Sequence, residues 1–346
     1  MRIAAIGLAS CVLGGLCGGA YAAAAEIVTF KGICDASAAI ALDADRIIVG
    51  DDEKPYLSIY GLGGGERLDK IELPHLGEDG EADIEGAAIL GDRIVWISSN
   101  GRDGKGMVET ERFQLFASHR SDAGHHWGKD FSPSFDGLPK AIRAMNGDDY
   151  EPLRDAVGDL DKQKEELAPK KRGFNVEGLT ANRTGDILLV GVRNPHPHGE
   201  AILFAIDNPA ALLDGVAHEA ELGAVIALPL GDRGIRDIAW SPAHQAYLIA
   251  AGQTDDEDQG PGFALFHWDG TGIPQEIRSF REVLDAHPDF HPEAVTPLVE
   301  TSGGGLVPSR RVLVISDDGT KEVAGKECKK ADKGLRSFRA VVLEID

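Results

Sequence analysis

Residues 83–88 read Asp83-Ile84-Glu85-Gly86-Ala87-Ala88, a strand that opens on carboxylates and continues in small apolar residues. The phrase returns as Asn175-Val176-Glu177-Gly178-Leu179-Thr180, as Arg236-Asp237-Ile238-Ala239-Trp240 and as His291-Pro292-Glu293-Ala294-Val295-Thr296. A fainter copy, Asp35-Ala36-Ser37-Ala38-Ala39-Ile40, precedes them all. Each copy is followed by a second apolar run, at residues 46–50, 93–97, 186–190, 246–250 and 311–315. Strand-built repeats of about 40–60 residues are the mark of a β-propeller, one repeat to a blade. The reading is an all-β chain of five blades, with six as the alternative count.

The runs that follow are short and β-branched or alternating, as buried and half-buried strands are. Blade five, which begins at His291 and ends at residues 338–345, lacks an outer strand, while residues 26–30 form a strand with no blade of their own. Pairing the two closes the ring and removes an exposed edge. The interval from Glu85 to Glu177 is much longer than those between later copies, and its excess falls in residues 121–172. That stretch carries helical periodicity at residues 138–145 and 153–167 among many charges, so it is read as a helical insertion on the functional rim.

Residues 1–22 read as a secretory signal, with Arg2, an apolar stretch and a small-residue cleavage site at Ala20-Tyr21-Ala22. Residues 23–346 are then a single propeller domain, periplasmic or secreted, with no membrane insertion of the mature chain. The formal net charge of −22 excludes nucleic acid as a partner and suits cations or plain solubility. Cys11 and Cys17 leave with the signal, so Cys34 and Cys328 remain in an oxidising compartment. Cys34 precedes the first strand of blade one and Cys328 follows the second strand of blade five, so both fall at one mouth in neighbouring blades. A disulfide between them is expected.

In an antiparallel blade the start of strand one and the end of strand two share an end. The acidic phrases therefore meet the clusters Asp51-Asp52, Ser98-Ser99-Asn100, Arg193-Asn194, Gln253-Thr254 and Asp317-Asp318 at one mouth, where the long loops also gather. Connections at the other end are tight, except at residues 299–310. Residues i and i+2 of a strand face the same way, so Asp83 with Glu85 and Asn175 with Glu177 look into the axial channel. Glu85, Glu177, Asp237 and Glu293, with Asp83 and Asn175, are the candidate metal or ligand site. Oxygen-only donors suit Ca²⁺ or Mg²⁺. Arg193 and Arg236 are either contacts for an anionic substrate or counter-ions that satisfy the ring internally. His125-His126, His196-Pro197-His198 and the run Asp255-Asp256-Glu257-Asp258 read as solvated loops.

The ordered set Cys34-Asp-Ala-Ser-Ala, Asp83-Ile-Glu-Gly-Ala-Ala, Trp96-Ile-Ser-Ser-Asn-Gly-Arg102, Glu111-Arg-Phe-Gln-Leu-Phe-Ala117, Phe174-Asn-Val-Glu-Gly-Leu179 and Gly191-Val-Arg-Asn-Pro195 resembles a bacterial uncharacterised family, numbered thirty-six sixteen in the domain-of-unknown-function series. That resemblance implies no activity. More distantly, the Asp-x-Glu-Gly phrases are similar to those of the esterase-like phytase, gluconolactonase and paraoxonase propellers. In the last two, axial carboxylates hold Ca²⁺, which implies a metal-dependent phosphoester or lactone hydrolase here. The competing expectations are a non-catalytic exported propeller that binds a sugar, peptide or basic partner, and a structural propeller.

Overall fold

Five four-stranded antiparallel sheets and one two-stranded hairpin make up the computed structural model, which describes residues 26–73, 83–120, 127–255 and 261–345. The five large sheets stand in a ring as a five-bladed propeller. Blade one is Ala36–Ala41, Arg46–Asp51, Tyr56–Gly61 and Asp69–Glu72; blade two is Ile84–Leu90, Arg93–Ser98, Leu115–Arg120 and Trp127–Phe131. Blade three is Asn175–Ala181, Leu188–Asn194, Ala201–Ile206 and Leu222–Leu228; blade four is Gly234–Ser241, Ala246–Gly252, Ala264–Trp268 and Gln275–Glu276. The signal segment and His125-His126 lie outside the described residues, as does most of the acidic run after Asp255.

Blade five joins the chain ends. Pro292–Ser302, Gly305–Ser316 and Ser337–Glu344 are completed by Ile27–Lys31, which pairs antiparallel with the last strand in the register Phe30↔Phe338. Phe30 stacks on Phe338 at 4.8 Å, and Tyr60 of blade one meets both rings edge-on at 5.4 Å. The Tyr60 hydroxyl donates to the Lys31 carbonyl at 2.9 Å, so aromatic packing and a hydrogen bond fix the closing strand to blade one.

The structure corrects three local readings. Residues 121–172 are not all insertion, because Trp127–Phe131 is the outer strand of blade two and the helices Leu138–Ala144 and Glu151–Val157 follow it. Residues 275–278, which the sequence offers as the last strand of blade four, give only the two-residue strand Gln275–Glu276, and Arg278–Ala286 turns helical where Phe280 and Val283 reach the core. Residues 299–310 are not a loop; the first two strands of blade five continue their ladder to the pair Ser302↔Gly305.

The blades approach closely where glycine replaces a side chain. A Cβ on Gly50 would sit 2.7 Å from Ile84 of blade two, and one on Gly191 would sit 2.7 Å from Ile235 of blade four. Either substitution would push neighbouring blades apart.

Cys34 and Cys328 are bonded across a sequence separation of 294 residues, next to the seam where the ends meet. Closing so long a loop removes much entropy from the unfolded chain. Replacing both by serine should lower unfolding stability by about 2–5 kcal/mol, measured by denaturant titration of oxidised protein. An unchanged midpoint would show that the seam is held by packing alone.

Candidate functional site

The first strand of every blade carries a bulge at the same place. Pairing with strand two is interrupted between Ala36 and Ala38, Ile84 and Gly86, Val176 and Gly178, Ile235 and Asp237, and Pro292 and Ala294. The residues bypassed are Ser37, Glu85, Glu177, Arg236 and Glu293. A bulge releases one residue from the ladder and re-aims its side chain. Glu85, Glu177, Arg236 and Glu293 line a channel mouth of about 980 Å³. The Ser37 hydroxyl instead donates to the Ile84 carbonyl of blade two.

This register moves Asp237 out of the expected set. It stands one position past the bulge, where Gly86, Gly178 and Ala294 stand in other blades, and its carboxylate accepts the backbone N–H groups of Ile238 and Val295, each at 2.8 Å. Asp237 ties blade four to blade five and does not line the mouth. Burial pushes its carboxyl well above the usual range, against the pull of those two N–H groups.

Arg236 occupies the axial position in blade four, between two of the expected metal ligands. Its Nε donates to Glu293 Oε2 at 3.0 Å, Nη2 reaches both Glu293 oxygens, and Nη1 lies 2.9 Å from Glu177 Oε2. Arg193 Nη1 donates to Glu177 Oε1 at 3.2 Å, and its Nε donates to the Gln253 carbonyl at 3.0 Å. Asn175 Nδ2 adds a bond to Glu177 Oε1 at 2.6 Å. Burial works against the Arg236 charge, but Glu177 and Glu293 outweigh it and hold the guanidinium protonated. Two charge pairs thus neutralise one another at the floor of the mouth, with both arginines turned to protein carboxylates. Among the described residues no three His, Cys, Asp or Glu side chains converge as a metal cage.

Asp83 is likewise engaged, by the Ser99 hydroxyl and by Arg112 at 3.6 Å. Glu85 differs: among the described residues its carboxylate has neither a hydrogen bond nor an ion pair. Burial, then the charges of Glu177, Asp83, Asp52 and Glu293, push it well above the usual carboxylate range. Asp35 and Asp52 share that condition on the adjoining wall. Asp35 is 7 % exposed, and the backbone at Gly319 covers it so closely that an added Cβ would fall 1.7 Å from Asp35 Oδ1. Burial and then Asp317, Glu53 and Asp51 raise Asp35 to about 8, with Lys329 opposing. Oδ1 of Asp52 is buried without a hydrogen-bond partner, and burial followed by Asp35, Asp51 and Asp317 raises its carboxyl well above normal.

The mouth also has basic lining from the end of the insertion, Lys170, Lys171 and Arg172. Arg102 anchors that segment by donating to the carbonyls of Gly106, Val157, Asp159 and Lys162 at 2.7–3.1 Å. Asn194 Nδ2 holds Pro169 at 2.9 Å. Position in the repeat marks Asp35, Asp52 and Asp317 as mouth residues; that Asp317 accepts the Gly319 N–H at 2.7 Å while Asp35 and Asp52 are left without partners among the described residues depends on loop packing that no spacing reveals. Arg102 ends the Ser-Ser-Asn-Gly-Arg run, yet its role depends on carbonyls about 55–60 residues away.

No family model matches the sequence, and no curated protein matches it. Among solved structures, the chain is similar to Myxococcus xanthus glutaminyl cyclase at 10% identity and a TM-score of 0.43, covering 93% of this chain and 96% of that one. It is also similar to the Cps50 (Swd1) β-propeller domain of Myceliophteria thermophila at 10% identity and a TM-score of 0.39, covering 92% and 98%. Kuenenia stuttgartiensis hydrazine synthase aligns at 8% identity and a TM-score of 0.36, covering 96% of this chain and 67% of that one.

Two measurements test this electrostatic arrangement. Arg236→Gln strands the buried carboxylate of Glu293 and leaves Glu177 to Arg193 and Asn175, and should cost about 3–5 kcal/mol of unfolding free energy; adding Glu177→Gln and Glu293→Gln should recover part of it. A single variant as stable as the wild type would contradict the network. Asp35, raised from 3.8 to about 8, keeps a proton that the unfolded chain loses. Its contribution is therefore complete below about pH 4 and is lost as pH rises towards 8. Asp35→Asn should flatten the fall in stability across that window, and an unchanged slope would show that Asp35 is ionised when folded.

Proposed function

We propose that the charged mouth binds a small ligand through a cationic group, an ammonium or guanidinium, held against Asp35, Asp52 and Glu85. The observation that carries this reading is that these three carboxylates line one cavity without a hydrogen bond or ion pair among the described residues, while Glu177 and Glu293 are matched by Arg236. Buried carboxylates without partners are unfavourable, and a cation entering the wall relieves them. The protein acts outside the cytoplasm on this reading. The Cys34–Cys328 bond and the apolar leader support that placement. Among the described residues no helix is long and apolar enough to cross a membrane.

Hydrolysis of a phosphoester or lactone with Ca²⁺ or Mg²⁺ at this wall is a second reading, favoured by its oxygen-only donors. It would need Glu85, Asp52 and Asp35 to draw together around the ion, in place of the Glu85, Glu177, Asp237 and Glu293 set, because no three such side chains among the described residues already converge.

Because Asp35, raised to about 8, holds a proton near neutrality, a cation must displace it. Agmatine should bind saturably in calorimetry and release protons, with affinity rising by up to about tenfold per pH unit and levelling above about pH 8. Glu85→Gln and Asp35→Asn should each weaken it about tenfold. Absence of binding, or variants that bind like the wild type, would remove this reading. A melting temperature that answers to CaCl₂ and chelator but not to agmatine would favour the metal.

A further inference from the structure

At the other end of the ring the strand-one ends enclose a second cavity of about 320 Å³. Ile40, Ile89, Ala181, Trp240 and Leu298, one from each blade, contribute to its wall, and Pro308 of the extended blade-five hairpin overhangs it. The volume is at the lower end of the range for small-molecule sites, roughly 300–1,000 Å³, and exceeds the roughly 150 Å³ apolar cavity that takes up benzene.

The chemistry of the lining is selective. In a chain of net charge −22, no carboxylate lines this cavity, and Arg183 is the charged side chain among the lining residues. Arg183 Nη2 donates to Gln245 Oε1 at 2.9 Å, and its guanidinium carbon lies 6.0 Å from the Trp240 ring centre. That contact fixes the arginine over the rim while leaving other N–H groups for a ligand. Trp240 is held edge-on against Tyr247 at 5.0 Å, and its backbone N–H donates to Thr180 Oγ1 at 2.9 Å. Ile89 is 53 % exposed, an apolar side chain with no cover on a concave surface.

We propose that this cavity is a binding site for a small aromatic carboxylate. Its ring packs on Trp240 and the aliphatic wall, and its carboxylate pairs with Arg183. The site is separate in position and opposite in charge preference from the charged mouth, so it stands whether or not that mouth binds cations.

The test is titration of the full chain with 1-naphthoate, 1-naphthamide and 1-naphthylmethylammonium, followed by tryptophan fluorescence and calorimetry. Naphthoate should bind most tightly and the ammonium most weakly. Arg183→Gln, at an exposed side chain, should weaken naphthoate about tenfold to the level of the amide and leave the amide unchanged. Ala41→Phe, which fills the half-buried wall, should abolish binding of both while keeping the wild-type circular dichroism. Failure of all three probes to saturate would overturn the site. Equal affinity for amide and carboxylate, or indifference to Arg183→Gln, would overturn the ligand class.

Discussion

The axial pairing of Arg236 with Glu177 and Glu293 is the interaction on which the rest of the mouth depends. Three blades send a carboxylate to one axis, and burying such like charges together is unfavourable without a counter-ion. Blade four supplies that counter-ion from within the chain. Arg236 holds Glu293 through two nitrogens and Glu177 through a third, and Arg193 completes the neutralisation. Once those charges cancel, the carboxylates left over define the site: Glu85 on blade two, with Asp35 and Asp52 on blade one.

The bulges are what make this arrangement possible. Without them, alternation along strand one would send the same residues towards the flat faces where neighbouring blades pack. In blades two to five the released residue is aimed at the axis and the next position is left for inter-blade contact, whereas in blade one Ser37 bonds the Ile84 carbonyl of blade two. Gly86 and Gly178 allow close approach there, and Asp237 instead binds the backbone of blade five. One local irregularity, repeated around the ring, thus serves packing and charge placement together.

Much of this is legible in the sequence, and the limits are physical. The repeat of carboxylate and small residue gives the blade count, and the unpaired strand at residues 26–30 gives the closure, because an exposed edge needs a partner. The Cys34–Cys328 bond follows from the two cysteines left beyond the signal together with the topology that puts them at one mouth. Blade four is where the pattern misleads. Arg236-Asp237 offers a carboxylate beside the repeat position, and chemical likeness selects Asp237, whereas the register selects Arg236. A one-residue slip in a strand exchanges its two faces, and no composition rule detects a bulge. The outer strand at Trp127–Phe131 is hidden for another reason: it lies in a polar stretch between charged segments and carries little apolar periodicity. The condition of Asp35 depends on Gly319 lying over it, a contact between segments far apart in the chain.

The most direct test is a crystal structure of the full chain grown at pH 8 with agmatine. The account predicts density for a guanidinium or ammonium against Asp35, Asp52 and Glu85, with Arg236 still bound to Glu177 and Glu293. Density for a ligand or metal between Glu177 and Glu293, with Arg236 displaced, would contradict it.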